Sequence, residues 1–358
     1  MTNGVSAQSD VLVVMRMGPS NTTHHLLPLA AAVAPARVHI VRPAPMPQSL
    51  RAVNVIYHEV RSPGRLLQVA ATLLVALRLA HRHEIKSIIS FNAFPYGLIA
   101  AMCGLLYRKP FHVGFVGSDL KVAHRRPWWV RFILRASLIT TTGEDFNRFI
   151  SDLGYSGSLR HLDHGIDERR FHPAKRDRNV DVLFVGALIP RKNVRLIIEA
   201  IALAAAQRPI TAVVVGDGPD RAALENLVRD LGVGDAVTFV GVDFTPERWM
   251  QRARIFAMAS SWEGLPFAMI EAMRCGAVPV VTPAGSIEDL ITDGRNGLLV
   301  GPAAQEMADA FLRVLEDEAT FERMSDLAVS STTHLTYAQV EEAWRGMLQE
   351  MGAPRTGS

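Results

Sequence analysis

Two glutamates stand with seven residues between them in Ser261-Trp262-Glu263-Gly264-Leu265-Pro266-Phe267-Ala268-Met269-Ile270-Glu271-Ala272-Met273. A carboxylate accepts one hydroxyl on each oxygen, so each glutamate suits a vicinal diol. Pro266 fits the first turn of a helix, where its missing N–H costs nothing. The N–H groups of Phe267, Ala268 and Met269 at that helix start favour an anion, most often a phosphate. Gly264 lets the backbone approach a ligand closely. A diphosphate held between two polyols is a nucleoside diphosphate-sugar. The alternative is that Glu271 pairs with Arg274, three positions on, along a solvated helix face.

The elements that must hold these groups follow from the flanking residues. Arg254-Ile255-Phe256-Ala257-Met258-Ala259 reads as a buried strand. Gly276 fits the position that ends a helix. The unit is therefore strand, tight turn and helix, with one glutamate at the turn and the other about one and a half turns into the helix.

The run from Ser260 to Val300 resembles the donor-binding segment of glycosyltransferase family four, which has the GT-B fold. The resemblance rests on Glu263-Gly264-Leu265-Pro266, Glu271-Ala272-Met273, Cys275-Gly276-Ala277-Val278-Pro279-Val280-Val281, Gly285, Glu288 and Gly297-Leu298-Leu299-Val300. It implies that Glu263 meets the transferred sugar and Glu271 the ribose hydroxyls. Upstream, Val180 to Gly186 reads as a strand and Val194 to Ala205 as an amphipathic helix. Between them the family pattern places an arginine and a lysine that clamp the donor diphosphate. Lys192 is in place, Ala187 takes the arginine position, and Arg191 is the candidate to compensate, although neighbours on a helix point in different directions. Paired cations matter because charge develops on the leaving diphosphate. Val215-Gly216-Asp217-Gly218-Pro219 resembles a further family turn and places Gly216 at the donor. Val242, after the strand Val237 to Gly241, is the implied base contact.

The first half is looser. Val11 to Met15, a helix over Leu26 to Val33 and Val38 to Val41 read as strand, helix and strand, hence a parallel sheet. The loop between them carries Gly18, where the resemblance expects a glycine-rich turn facing the donor phosphates. His24 and His25 start the helix and are acceptor-side or structural. Ser87 to Ser90, Phe111 to Leu120 and Ser137 to Thr142 continue the strands. Gly117-Ser118-Asp119 resembles the acceptor-side turn. Val116 replaces the histidine many relatives carry there, which leaves Asp119 as the nearest polar candidate for catalysis, or as a helix cap. His161 to Pro173 resembles the interdomain segment. The expected division is residues 1–173 as an N-terminal domain, 174–179 as linker, 180–335 as the donor domain and 336–358 as a helix crossing back, with Val340, Trp344 and Met347 packing on the first domain.

Lys121 to Arg135 carries Arg125, Arg126, Arg131 and Arg135 interleaved with Trp128 and Trp129. Arginine with tryptophan suits a membrane interface; a helix packing its aromatics inward with a basic edge is the other reading. A net charge of +3 over 358 residues does not point to nucleic acid. Two cysteines, Cys103 and Cys275, imply neither a disulfide framework nor a metal cluster. Residues 1–10 lack the apolar core of a signal peptide, and no apolar run reaches the roughly 18 residues of a spanning helix. A cytoplasmic protein, free or on the inner face of the membrane, is expected. No Asp-x-Asp occurs, so no metal cofactor is expected and Lys192 with the helix start must neutralise the diphosphate. The resemblance implies a retaining transferase that moves a sugar from a nucleoside diphosphate to a hydroxyl, and the basic aromatic stretch is consistent with a glycan or lipid-linked acceptor. Another GT-B activity, such as an epimerase, or a non-catalytic nucleotide-sugar binder, are the alternatives; Ala187 and Val116 motivate the latter.

Overall fold

The structure, a computed structural model, describes residues 9–47, 50–51, 53–116, 119, 129–142, 144–162, 165–174, 177–263 and 266–352. The chain forms two compact units, one of residues 1–165 with 335–358, the other of residues 166–334. The break falls between Gly165 and Ile166, upstream of the 174–179 segment that its charge marked as linker.

In the first unit seven parallel strands run β1 (Asp10–Val14), β2 (Val38–Arg42), β3 (Val55–Glu59), β4 (Ile85–Ser90), β5 (Phe111–Phe115), β6 (Leu138–Thr141) and β7 (Ser158–His161). Their spatial order is β3-β2-β1-β4-β5-β6-β7. Helices α1 (Pro19–Val33), α2 (Arg65–Ala80), α3 (Leu98–Tyr107), α4 (Val130–Ile133) and α5 (Glu144–Asp152) alternate with the strands, and α12 (Tyr337–Gly352) returns to this unit. Parallel strands covered on both faces are continuous apolar runs; β1 and β2 are buried throughout. The half-exposed edges β3 and β7 lack such runs and escaped the sequence reading. The α12 helix packs beside α1. There Trp344 is fully buried, edge-on to the rings of Phe91 at 5.6 Å and His112 at 5.2 Å.

The second unit holds β8 (Val180–Val185), β9 (Ala212–Val215), β10 (Val237–Gly241), β11 (Ala253–Met258), β12 (Val278–Val281) and β13 (Leu298–Leu299), again all parallel, in the order β10-β9-β8-β11-β12-β13. Helices α6 (Val194–Ala205), α7 (Arg221–Asp230), α8 (Glu247–Met250), α9 (Phe267–Arg274), α10 (Ala304–Glu316) and α11 (Glu318–Ser331) complete it. Its core joins Val182, Phe184, Ile197, Ile201, Val214, Ile255, Ala257 and Phe311. Each sheet reverses its winding once, between β1 and β4 and between β8 and β11. At such a point the loops leaving the carboxyl ends of neighbouring strands diverge and leave a crevice for ligands.

Candidate functional site

At the switch point of the second unit, the loops after β8 and β11 meet. The loop after β8 closes in a single 3₁₀ turn, Pro190–Lys192, and Asn193 then takes a left-handed conformation, φ 46° and ψ 46°, before α6 begins. That short turn aims both of its cations at one carboxylate. Lys192 Nζ donates to Glu263 Oε1 at 2.6 Å, and Arg191 Nη1 donates to the same oxygen at 2.9 Å. Arg191 also donates to the Trp262 carbonyl, and the Ser261 amide donates to the Arg191 carbonyl at 2.9 Å. The expectation that Arg191 points away from Lys192 is corrected here. Its spacing was judged on an α-helix, whereas the residues sit on a tight turn and the long arginine stem bends back. Glu263 and Lys192 are largely buried; the Arg191 side chain keeps 45% of its surface and reaches solvent.

Glu263 sits where it does because Gly285 stands against it. Gly285 has φ +68°, and a Cβ there would lie 1.8 Å from the Glu263 carbonyl oxygen. Nothing but hydrogen fits. On the far side, Thr282 Oγ1 donates to the Ser260 carbonyl at 3.1 Å, so the loops after β11 and β12 are tied together. Gly264 and Leu265 lie outside the described residues.

Pro266 is the residue before α9 rather than its first helical one, with φ −78° and ψ 120°. The Met269 amide donates to the Pro266 carbonyl, which removes it from the expected set of anion donors. The Phe267 side chain is buried and Ala268 half-buried. Glu271, one turn deeper in α9, is only 5% exposed. It is therefore not on a solvated face. Arg170 lies close to it and donates to Glu247 Oε2 at 2.8 Å and to the Phe244 carbonyl at 3.1 Å. These Arg170 contacts, invisible to spacing, fasten the segment before β8 to the loop after β10.

Gly216 has a positive φ of 140°, and a Cβ on it would stand 1.8 Å from the Gly186 carbonyl oxygen. Its amide donates to the Gly241 carbonyl at 2.7 Å. Gly216 thus lets the loops after β8, β9 and β10 touch. Val242 follows on that third loop and is 61% exposed. Asp243 beside it accepts from Thr245, Arg248 and Trp249. Burial pushes its carboxyl up, but these donors outweigh that and hold it at about 2.

In the first unit, Gly18 precedes α1 and is exposed with open space around it. Arg42, only 1% exposed, donates to the Met17 carbonyl and to Thr22 Oγ1 and so fixes the start of α1. Asp119 Oδ2 accepts from the Ala93 amide at 2.9 Å and the Val116 amide at 3.2 Å. Burial drives its carboxyl up to about 7 despite those donors. Its carboxylate therefore ties the loop after β4 to the end of β5. His24 and His25 are both buried; Tyr337 meets His24 at 2.9 Å, and His25 packs on Phe91.

Arg125, Arg126 and Trp128 lie outside the described residues, as do Gly117, Ser118 and His164. Trp129 is fully buried against Phe94, a correction to its assignment as a membrane contact: its ring fills the core under α3 and α4. Arg131 and Arg135 are exposed. No helix among the described residues is long and apolar enough to cross a membrane.

Residues 165–329 match the family model described as Glycosyl transferases group 1. Over those residues the chain is similar to the group 1 glycosyl transferases. Among curated relatives, the alpha-D-kanosaminyltransferase of Streptomyces kanamyceticus is 34% identical over 185 residues, 49% of this chain and 47% of that protein. The GDP-mannose-dependent alpha-(1-6)-phosphatidylinositol monomannoside mannosyltransferase of Mycolicibacterium smegmatis is 28% identical over 285 residues, 70% of this chain and 72% of that protein. The match thus spans about half of the first relative's length. Among solved structures, Anabaena Alr3699/HepE in complex with UDP and glucose superposes with a TM-score of 0.77 at 21% identity, over 95% of this chain and 99% of that one. A sucrose-phosphate synthase from Thermosynechococcus elongatus gives the same TM-score at 18% identity, over 95% and 98%. These likenesses show the fold, GT-B, with two Rossmann-like parallel-sheet domains. The matched segment lies in the second unit apart from Gly165, and Lys192, Arg191, Glu263 and Glu271 all fall within it.

Proposed function

We propose that this protein is a retaining glycosyltransferase that moves a sugar from a nucleoside diphosphate, UDP or GDP, to a hydroxyl of a glycan or lipid-linked acceptor. The carrying observation is the convergence of Lys192 and Arg191 on Glu263 at the switch point of the second unit. Without donor, the two cations neutralise the glutamate. A diphosphate arriving there competes for both, and the freed carboxylate accepts the sugar hydroxyls. Glu271, buried in α9, is assigned the ribose hydroxyls. The bond from the anomeric carbon to the phosphate oxygen breaks as the acceptor oxygen bonds that carbon on the same face. The acceptor proton passes to the departing phosphate oxygen, and Lys192 with Arg191 holds the charge left there.

The resemblance to a mannosyltransferase named for a phosphatidylinositol acceptor supports a lipid-linked acceptor on the inner face of the cell membrane. The reaction is assigned no metal, since two side-chain cations face the diphosphate position.

The test is a thermal-shift panel of UDP, GDP, ADP and their sugars with chelator present. Ligand at about a hundred times its dissociation constant stabilises by roughly 2.7 kcal/mol. That is a shift of several degrees for domains of this size. One nucleotide should respond, and Glu271→Ala should abolish the response. Silence across the panel in a cooperatively unfolding protein would sink the donor site and leave a non-catalytic relative.

A further inference from the structure

Three helices of the first unit cover one face of its sheet. Helix α3 packs beside both α2 and α4, and all three bury their inner sides in a single cluster with Ile88, Phe111, Val113 and Phe115. Their outer sides are apolar. On α2, Leu66 is 88% exposed, Leu67 60% and Leu74 68%; on α3, Leu106 is 64%, with Met102 beside it at 42%; on α4, Phe132 is 44%. Positions 67, 74 and 78 fall on one line of α2, and 102 and 106 on one line of α3, because residues near multiples of 3.6 share a helix face. Isolated exposed leucines are ordinary, but an adjoining set on neighbouring helices marks an interaction surface.

The charge on the set itself is basic, with Glu84 and Asp152 among the exposed acids nearest to it in sequence. Arg65, Arg78, Arg108 and Arg131 are exposed on or beside these helices. Residues 62–143 contain two acids, Glu84 and Asp119, and Asp119 is buried. We propose that the outer face of α2, α3 and α4 docks the protein on an anionic lipid bilayer, with the leucines in the acyl boundary and the arginines at the phosphates. A second copy would set Arg65, Arg78, Arg108 and Arg131 against their own counterparts, with Glu84 the one exposed acid of residues 62–143. A nucleic acid would leave the leucines unburied. A bilayer supplies an apolar layer beneath a sheet of phosphates, which is the arrangement this face complements, and arginine stems reach from one to the other. The surface lies outside the second unit, so it stands or falls apart from the sugar-transfer reading. It also differs from the 121–128 segment.

The experiment is co-sedimentation of the whole chain with vesicles of phosphatidylcholine alone or mixed with phosphatidylglycerol. The wild type should bind the mixed vesicles, and salt should weaken binding. Arg78→Gln and Arg108→Gln should each weaken it about fivefold, the effect of one basic residue near such a surface. The combined Leu67→Glu, Leu74→Glu, Leu106→Glu variant should lose binding with its thermal midpoint unchanged. If that variant fails to fold, Leu74→Cys carrying an environment-sensitive dye decides, since Cys103 and Cys275 are buried; its emission should shift to the blue on mixed vesicles. Wild type that ignores both vesicles overturns the proposal, as does a dye that does not respond. Binding that survives the leucine changes but is lost in Arg125→Gln, Arg126→Gln assigns the contact to the other segment and overturns it too. So does a wild-type dimer that the leucine changes convert to a monomer without vesicle binding.

Discussion

Lys192 Nζ lies 2.6 Å from Glu263 Oε1, although the two residues leave different strands and are 71 positions apart. The pair is largely buried and shares its oxygen with Arg191. Removing Lys192 leaves Glu263 with one partner that is half in solvent. We expect Lys192→Ala to lower turnover by about 10²–10³-fold, the usual loss for one donor at a site of developing charge. Arg191→Ala should cost less. A larger loss for Arg191→Ala in single-turnover assays would mean that the more exposed arginine is the principal clamp.

Gly285→Ala tests the loop rather than the charge. The added methyl meets the Glu263 carbonyl at 1.8 Å, and φ +68° is strained for any side chain. The loop must move, and Glu263 with it. The variant should fold with a lowered midpoint and show no thermal shift with the donor nucleotide. A normal shift would mean that Glu263 is free to relocate without loss of binding.

Acid should destabilise the first unit. Burial holds the imidazoles of His25 and His112 down at about 3, against 6.5 in an unfolded chain. At pH 5 the unfolded state therefore binds two protons that the folded state refuses, and stability falls as pH falls from about 6.5 towards 3. Asp119 works the other way: raised to about 7 from 3.8, it is protonated when folded and ionised when unfolded. Over these three groups one proton remains net, or about 1.4 kcal/mol lost per pH unit between pH 6 and 4, and His58 and Asp10, both lowered in the folded protein, add to the loss. Asp119→Asn removes the one opposing proton and should steepen the slope by about 1.4 kcal/mol per pH unit in urea titrations. An unchanged slope would mean that Asp119 is ionised in the folded protein.

The same variant separates two roles of Asp119. The Ala93 and Val116 amides both reach Oδ2, which an asparagine carbonyl can replace, and the Phe94 amide is a third backbone donor. If the residue only ties the two loops, Asp119→Asn keeps turnover within about twofold, since a neutral acceptor still makes both bonds. A collapse of kcat with normal donor binding would make it a catalytic group.

Trp344→Ala should destabilise by about 3–5 kcal/mol, the range for a large buried aromatic. Its ring sits between Phe91 and His112 at full burial. A loss below about 1 kcal/mol would mean that α12 contributes little to this unit.

The sequence by itself determined the fold class and singled out candidate groups for the site. Val11 to Val14, Val180 to Val185 and Ile255 to Met258 are continuous apolar runs because parallel strands are covered on both faces. Glu263, Glu271 and Lys192 are legible as candidates because their order and spacing match the motif that the resemblance rests on. Edge strands β3 and β7 were not legible, since half-exposed residues need no apolar pattern. Only the tertiary structure decided that Arg191 joins Lys192, that Gly285 holds Glu263, and that Trp129 is core. Spacing along a chain gives direction only while the element is regular, and a 3₁₀ turn or a loop crossing is not. The apolar outer face of α2 and α3 was likewise undecided in the sequence. Leu67 and Leu79 are the same residue type on one helix, and packing alone sends one to solvent and the other to the core.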